Sequence, residues 1–223
     1  MKIAMIGTGY VGLVSGACFS ELGFNVTCVD KNEKKVLGLK SNKIPIYEPG
    51  LEALVRRNQN AGRLFFTTDL KDAVSNSNIV FIAVGTPARR GDGHADLSYV
   101  FSAVEEIVEA ISGYTVIVMK STVPVGTARK VFDLVKQKRP ELSFDIASNP
   151  EFLREGSAIN DFMRPDRVIV GTSGSKAKEV LEKIYKPLYL IEPPIQYTEL
   201  ETAELIKYAA NAFLAVKISY INQ

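Results

Sequence analysis

The sequence is poor in the residues that metal and disulfide chemistry require. Its 223 residues include two cysteines and one histidine. Cys18 and Cys28 lack metal-ligand spacing, and each falls in an apolar segment, so both read as small buried residues. No metal is expected, and a reducing cytoplasm is the simplest compartment. His94 sits in the turn-rich stretch Gly91-Asp-Gly-His-Ala-Asp96 and reads as a surface-loop residue. No apolar run approaches the roughly 18 residues of a membrane-spanning helix, so no membrane partner is expected. Met1-Lys2 leads at once into a strand pattern, with no signal-peptide layout. The net charge is +2 and the basic residues are scattered, so electrostatics give no case for nucleic acid.

What is present points to a dinucleotide. The apolar strand Lys2–Ile6 runs straight into Gly7-Thr8-Gly9-Tyr10-Val11-Gly12. Gly7 permits a tight turn out of the strand. Gly9 lets the backbone approach a pyrophosphate, and Gly12 lets the next helix pack close to the strand. The helix N-terminus then offers N–H groups and a positive dipole end to phosphate. A second strand pattern, Asn25–Asp30, ends in an acid about 20 residues past the glycines, where a carboxylate takes ribose hydroxyls. Asp30 favours NAD over NADP because it would repel a 2′-phosphate; the adjacent Lys31 weakens that preference.

Helix and strand patterns alternate along the chain. Helices are expected over Val11–Leu22, 32–40, 50–58, Leu97–Ile111, Gly126–Gln137 and Lys176–Tyr185. Strands are expected over Arg63–Thr67, Asn78–Val84, Thr115–Met119, Phe144–Ser148 and Arg167–Gly171. The continuous apolar runs suit strands buried on both faces. The alternation predicts an α/β fold, a doubly wound and mostly parallel sheet. From Glu199 to Gln223 the pattern is helical without glycine or proline, and Ala203, Ile206, Ala210, Phe213, Leu214 and Ile218 form an apolar face. Such a helix packs against more than its own domain, and the chain reads as stopping inside it.

In a doubly wound sheet the ligand lies beyond the carboxyl ends of the strands. Three polar clusters follow such ends: Gly85-Thr86-Pro87, Lys120-Ser-Thr122-Val-Pro-Val-Gly126 and Asn149-Pro-Glu151-Phe152-Leu153-Arg154-Glu155-Gly156. Each alone reads equally as turn chemistry. Glu151 and Glu155 suit either a pair of carboxylates with divided roles or a solvated helix start. Lys207 and Asn211 are four apart on the last helix and share a face. They suit either an oxyanion site or solvent.

These motifs, with Val29-Asp30, Lys35, Val84-Gly-Thr86-Pro87 and Ala209-Ala-Asn211-Ala-Phe213, resemble the NAD-dependent nucleotide-sugar 6-dehydrogenases. Asp161-Phe-Met-Arg-Pro-Asp-Arg-Val168 looks closer to the UDP-glucose branch than to the GDP-mannose or UDP-N-acetylmannosamine branches. The resemblance covers the whole chain, but about the N-terminal half of the family's architecture. It implies a Rossmann-like NAD-binding domain over 1–198, the start of a central dimerisation helix over 199–223, and a C-terminal sugar-nucleotide domain beyond. The implied reaction oxidises a primary alcohol at sugar C6 to a carboxylate by two hydride transfers to NAD. By resemblance, Gly7, Gly9, Tyr10, Val11 and Gly12 hold the pyrophosphate, and Asp30 and Lys35 take the adenosine ribose side. Thr86, Thr122 and Glu155 line the cofactor site. Residues Glu151, Phe152, Leu153, Arg154 and Glu155 contact the UDP-sugar. Glu151 assists hydrolysis, Thr122 helps hold a water, and Lys207 and Asn211 stabilise oxyanions. The family's cysteine nucleophile belongs to the further domain, so this chain alone is not expected to complete the oxidation. Two alternatives stand: a GDP-mannose 6-dehydrogenase relative, and an NAD-binding module with no turnover of its own. The first is separated by substrate competition, the second by a detectable hydride transfer.

Overall fold

The computed structural model describes residues 1–91, 93–188 and 195–223. Asp92 of the histidine loop, and 189–194 of the expected first domain, lie outside the described residues. Among them, eight strands form one sheet: β1 Lys2–Ile6, β2 Asn25–Val29, β3 Leu64–Thr67, β4 Ile79–Ile82, β5 Thr115–Met119, β6 Phe144–Ser148, β7 Val168–Gly171 and β8 Ile195–Thr198. The order is β3-β2-β1-β4-β5-β6-β7-β8. β1 to β6 are parallel, β7 meets β6 antiparallel through Ser148 and Gly171, and β8 lies parallel to β7.

Strands β4 and β5 are buried at every residue because helices cover both faces. The helices are α1 Tyr10–Glu21, α2 Glu33–Lys40, α3 Leu51–Asn60, α4 Leu70–Ser75, α5 Ser98–Ala110, α6 Thr127–Lys138, α7 Ala158–Met163, α8 Ser175–Tyr185 and α9 Leu200–Ile221. One core layer packs α1, α2, α3, α7 and α8 around Phe19, whose ring lies 5.1 Å from Phe81, 4.9 Å from Phe162 and 5.6 Å from Tyr185. The other layer packs α4, α5, α6 and the start of α9. Cys18 and Cys28 lie in the first layer as buried free thiols.

The expected doubly wound sheet is thus present. The sequence reading did not foresee α4, α7 or β8, which have six, six and four residues. Two turns of helix carry too little periodicity to stand out, and α4 depends on a local cap, Asp69 Oδ1 accepting from Asp72 N at 2.9 Å. The antiparallel step into β7 has a larger consequence. It puts the amino end of β7, with Arg167, beside the carboxyl end of β6, where Glu151 emerges.

The sheet order reverses between β1 and β4. A Cβ on Gly7, whose φ is +101°, would lie 2.6 Å from Ala83 O at the end of β4. A Cβ on Gly12 would lie 2.0 Å from Gly7 O. Both glycines are therefore required by packing before any ligand is considered. Gly12→Ala is expected to lower unfolding free energy by at least about 2 kcal/mol through overpacking, read by denaturant unfolding; an unchanged midpoint would mean that α1 can move away from the turn at little cost.

Candidate functional site

The glycine turn sits at the switch point between β1 and β4, the place where doubly wound sheets bind ligands. Gly7 N donates to Val29 O at 2.8 Å, tying the turn to the end of β2. Unlike Gly7 and Gly12, Gly9 is under no packing demand, for a Cβ there would meet nothing within 4 Å. Open space over a backbone amide at a helix N-cap suits a pyrophosphate. At the end of β2, Asp30 Oδ2 accepts from Lys35 Nζ at 2.8 Å, Thr8 Oγ1 at 2.5 Å and Thr8 N at 3.2 Å. Its Oδ1 accepts from Asn32 N at 3.1 Å. Burial opposes the charge of Asp30, but these partners outweigh it and hold the carboxyl below its usual range. A fixed carboxylate beside an open phosphate cradle fits the ribose and pyrophosphate of NAD. Thr86 and Thr122 also meet, Thr86 Oγ1 donating to Thr122 O at 2.8 Å.

The loop after β6 lines a cavity of about 570 Å³ with α9 and the Arg164–Val168 segment. Glu151 Oε1 lies 3.1 Å from Lys207 Nζ, and both side chains are nearly buried, at 12% and 8% exposure. Glu151 Oε2 accepts from Leu153 N at 2.6 Å, which fixes the carboxylate. Lys207 lies 5.2 Å from the Phe152 ring centroid, and Arg167 lies 4.8 Å from it. Arg154 is bound to Asp161, with contacts of 3.0 and 2.6 Å, and holds that carboxyl below its usual range. Asn211 lines the same cavity from the exposed side of α9. Lys207 is thus no surface lysine. Glu155 is exposed and does not line this cavity; its charge acts on the Tyr10 hydroxyl.

Two buried acids that were not singled out from the sequence position the parts. Glu48 accepts from the Tyr10 hydroxyl, Gly156 N at 2.8 Å and Ala158 N at 2.9 Å. It joins the start of α1, at the cofactor turn, to the loop bearing Glu151. Burial and this neighbour push the Tyr10 hydroxyl up to about 12. Glu204 accepts from Gly126 N at 2.6 Å and Ala128 N at 2.8 Å, so α9 caps the start of α6. Burial pushes its carboxyl up. Lys207 stands three residues further along α9, and that cap sets its depth. Glu48 lies in a turn segment, Tyr47-Glu48-Pro49-Gly50, that carries no functional signal. The spacing of Glu204 and Lys207 shows that they share a face of α9, but carries no sign of the capping contact with α6.

A strand, glycine turn and helix at a switch point, with an acid closing the next strand, define a dinucleotide-binding domain. Residues 1–189 match the NAD binding domain of the UDP-glucose/GDP-mannose dehydrogenase family, and residues 201–223 match that family's central domain. The chain belongs to this family, and its cofactor is NAD. It is 58% identical over 225 residues to the UDP-glucose 6-dehydrogenase of Rhizobium meliloti (strain 1021), covering 100% of this chain and 52% of that protein. It is 54% identical to UDP-glucose 6-dehydrogenase TuaD of Bacillus subtilis (strain 168), covering 99% of this chain and 47% of that protein. Among solved structures, the UDP-glucose dehydrogenase of Pyrobaculum islandicum superposes with a TM-score of 0.92 at 41% identity, over 98% of this chain and 51% of that one. The GDP-mannose dehydrogenase of Pseudomonas aeruginosa gives 0.94 at 38%, over 100% and 52%. The chain spans about half the length of the curated relatives it matches.

Replacing Glu48 by Ala takes the acceptor from the buried Ala158 N–H and from the Tyr10 hydroxyl, and leaves Gly156 N with the Tyr10 oxygen at 3.2 Å as its partner. We expect a loss of about 2–4 kcal/mol in denaturant unfolding, with Glu48→Gln losing less. Equal losses for both variants would show that the carboxylate charge, and not the number of acceptors, is what matters.

Proposed function

We propose that this chain is the NAD-binding half of a UDP-glucose 6-dehydrogenase, the oxidoreductase that converts UDP-glucose to UDP-glucuronate. The observation that carries this reading is the buried Glu151–Lys207 pair, 3.1 Å apart, on a loop tied by Glu48 to the dinucleotide turn. Gly7 to Gly12, with Tyr10 and Val11, would hold the pyrophosphate, and Asp30 with Lys35 the adenosine ribose. When bound, NAD supplies a hydride acceptor. At C6, the Lys207 ammonium and Asn211 amide would stabilise the oxygen as it becomes negative, its proton passing to solvent water. Glu151, 3.1 Å from that ammonium, would orient it and take a proton from water in the hydrolytic step. Thr122, at the end of β5, would help hold that water. Glu155, lying toward Tyr10, serves the cofactor side. Phe152, Leu153 and Arg154 would contact the sugar nucleotide.

Neither cysteine supplies a nucleophile for the second oxidation. Both are fully buried, and burial pushes each thiol up to about 12. We therefore propose that these 223 residues alone do not form UDP-glucuronate. The exposed end of α9, where Phe213 is 69% and Ile218 60% exposed, would pack against a second copy. The likeness to a GDP-mannose dehydrogenase structure keeps GDP-mannose as a second candidate substrate, and competition between the two sugar nucleotides decides it.

Calorimetric titration tests the cofactor assignment. One NAD should bind per chain, with NADP weaker by about tenfold, or about 1.4 kcal/mol. Asp30→Ala should weaken NAD and erase the preference. A chain that binds NADP as tightly as NAD would overturn the role given to Asp30.

A further inference from the structure

Lys120 follows β5 directly and is 3% exposed. Its Nζ lies 3.2 Å from Asn149 Oδ1 and 3.4 Å from Asn149 O. A buried ammonium needs acceptors or it destabilises the fold, and both of these belong to one residue. Asn149 is itself fully engaged. Its Oδ1 also accepts from the Tyr185 hydroxyl at 2.5 Å, its Nδ2 donates to Ile169 O at 2.8 Å, and its N donates to Met119 O at 2.9 Å. From this clamped residue the chain passes through Pro150 to Glu151. Lys120 also lines the same cavity as Lys207.

We propose that Lys120 is a positioning residue for the Glu151–Lys207 pair: its ammonium, held on both oxygens of Asn149, fixes the root of the loop from which Glu151 reaches Lys207. Its consequence for catalysis rests on the proposed function; the coupling of Lys120 to Glu151 is a property of this chain itself. The charged and titratable groups around it are Glu151 from the loop after β6, Lys207 from α9, the Tyr185 hydroxyl from α8 through Asn149, and Arg167 on the cavity wall before β7. Burial pushes Lys120 down to about 8; Glu151 pulls the other way and Lys207 adds to the fall. As pH rises through that value the ammonium becomes a neutral amine, its charge-assisted bonds weaken, and the hold on Asn149 loosens. The pair should therefore be well positioned below about pH 8 and lose its register above it.

The test is heteronuclear NMR on the 223-residue chain labelled at lysine carbon and backbone nitrogen. The Lys120 ε-carbon should titrate near pH 8. The Leu153 amide, which donates to Glu151 Oε2, should shift with the same midpoint. Lys120→Arg keeps a permanent charge, so it should hold that amide at its low-pH position over about pH 6 to 10. Lys120→Met should hold it at the high-pH position throughout. A Leu153 amide indifferent to the Lys120 titration, or displaced alike in both variants, overturns the proposal. The wild-type and Arg measurements decide it even where the Met variant does not fold. In the intact enzyme, Lys120→Arg should retain hydride transfer and lose the basic limb of its pH profile. Lys120→Met should lower kcat by about tenfold or more while leaving KM for NAD nearly unchanged. An intact protein that transfers no hydride would defeat the functional reading and leave the NMR coupling to be judged by itself.

Discussion

The Glu48 carboxylate is the contact on which the site depends. It is nearly buried and takes hydrogen bonds from the Tyr10 hydroxyl at the start of α1 and from the N–H groups of Gly156 and Ala158 at the start of α7. It reinforces two other links between the parts of the site, the Gly156 N–H to the Tyr10 hydroxyl at 3.2 Å and the Phe19–Phe162 contact between α1 and α7. The glycine turn belongs to β1 and α1, and Glu151 belongs to a loop that leaves β6, three positions away across the sheet. A carboxylate with two oxygens can satisfy several donors at once, and in a buried setting each unsatisfied donor is costly. That cost makes the loop adopt one position relative to the turn.

The cavity side is built by the same device. Glu204 seats α9 against the start of α6, and Lys207 follows it into the space over β6 and β7. Antiparallel β7 returns Arg167 to the same end of the sheet. Lys207 and Arg167 each approach the Phe152 ring, while Glu151 offsets the Lys207 charge. A cation buried beside one carboxylate and an aromatic face has little water to compete with it, so its effect on a developing negative oxygen is larger than at a surface.

The sequence made the cofactor side legible because that side is local. Gly7, Gly9, Gly12 and Asp30 lie within one strand–helix–strand unit, and the backbone demands of the turn read directly as glycines. Lys207 and Asn211 were legible as a pair by spacing, but burial of the lysine was not. The pattern of α9 reports its own faces and not what covers them. The contacts of Glu48 and Glu204 were hidden because most of their partners are backbone amides 76 to 110 residues away, and a backbone donor leaves no mark in the sequence; only the Tyr10 hydroxyl is a side-chain partner. The antiparallel turn into β7 was hidden for a related reason: four apolar residues look alike in either direction.

Through Glu48, the cofactor turn and the loop bearing Glu151 are expected to respond as one unit. Amide chemical-shift mapping during an NAD titration tests it directly. Gly7, Gly9, Gly12 and Asp30 should shift together with Gly156 and Ala158 along one saturation curve. Saturation of the turn with Gly156 and Ala158 unmoved would contradict it.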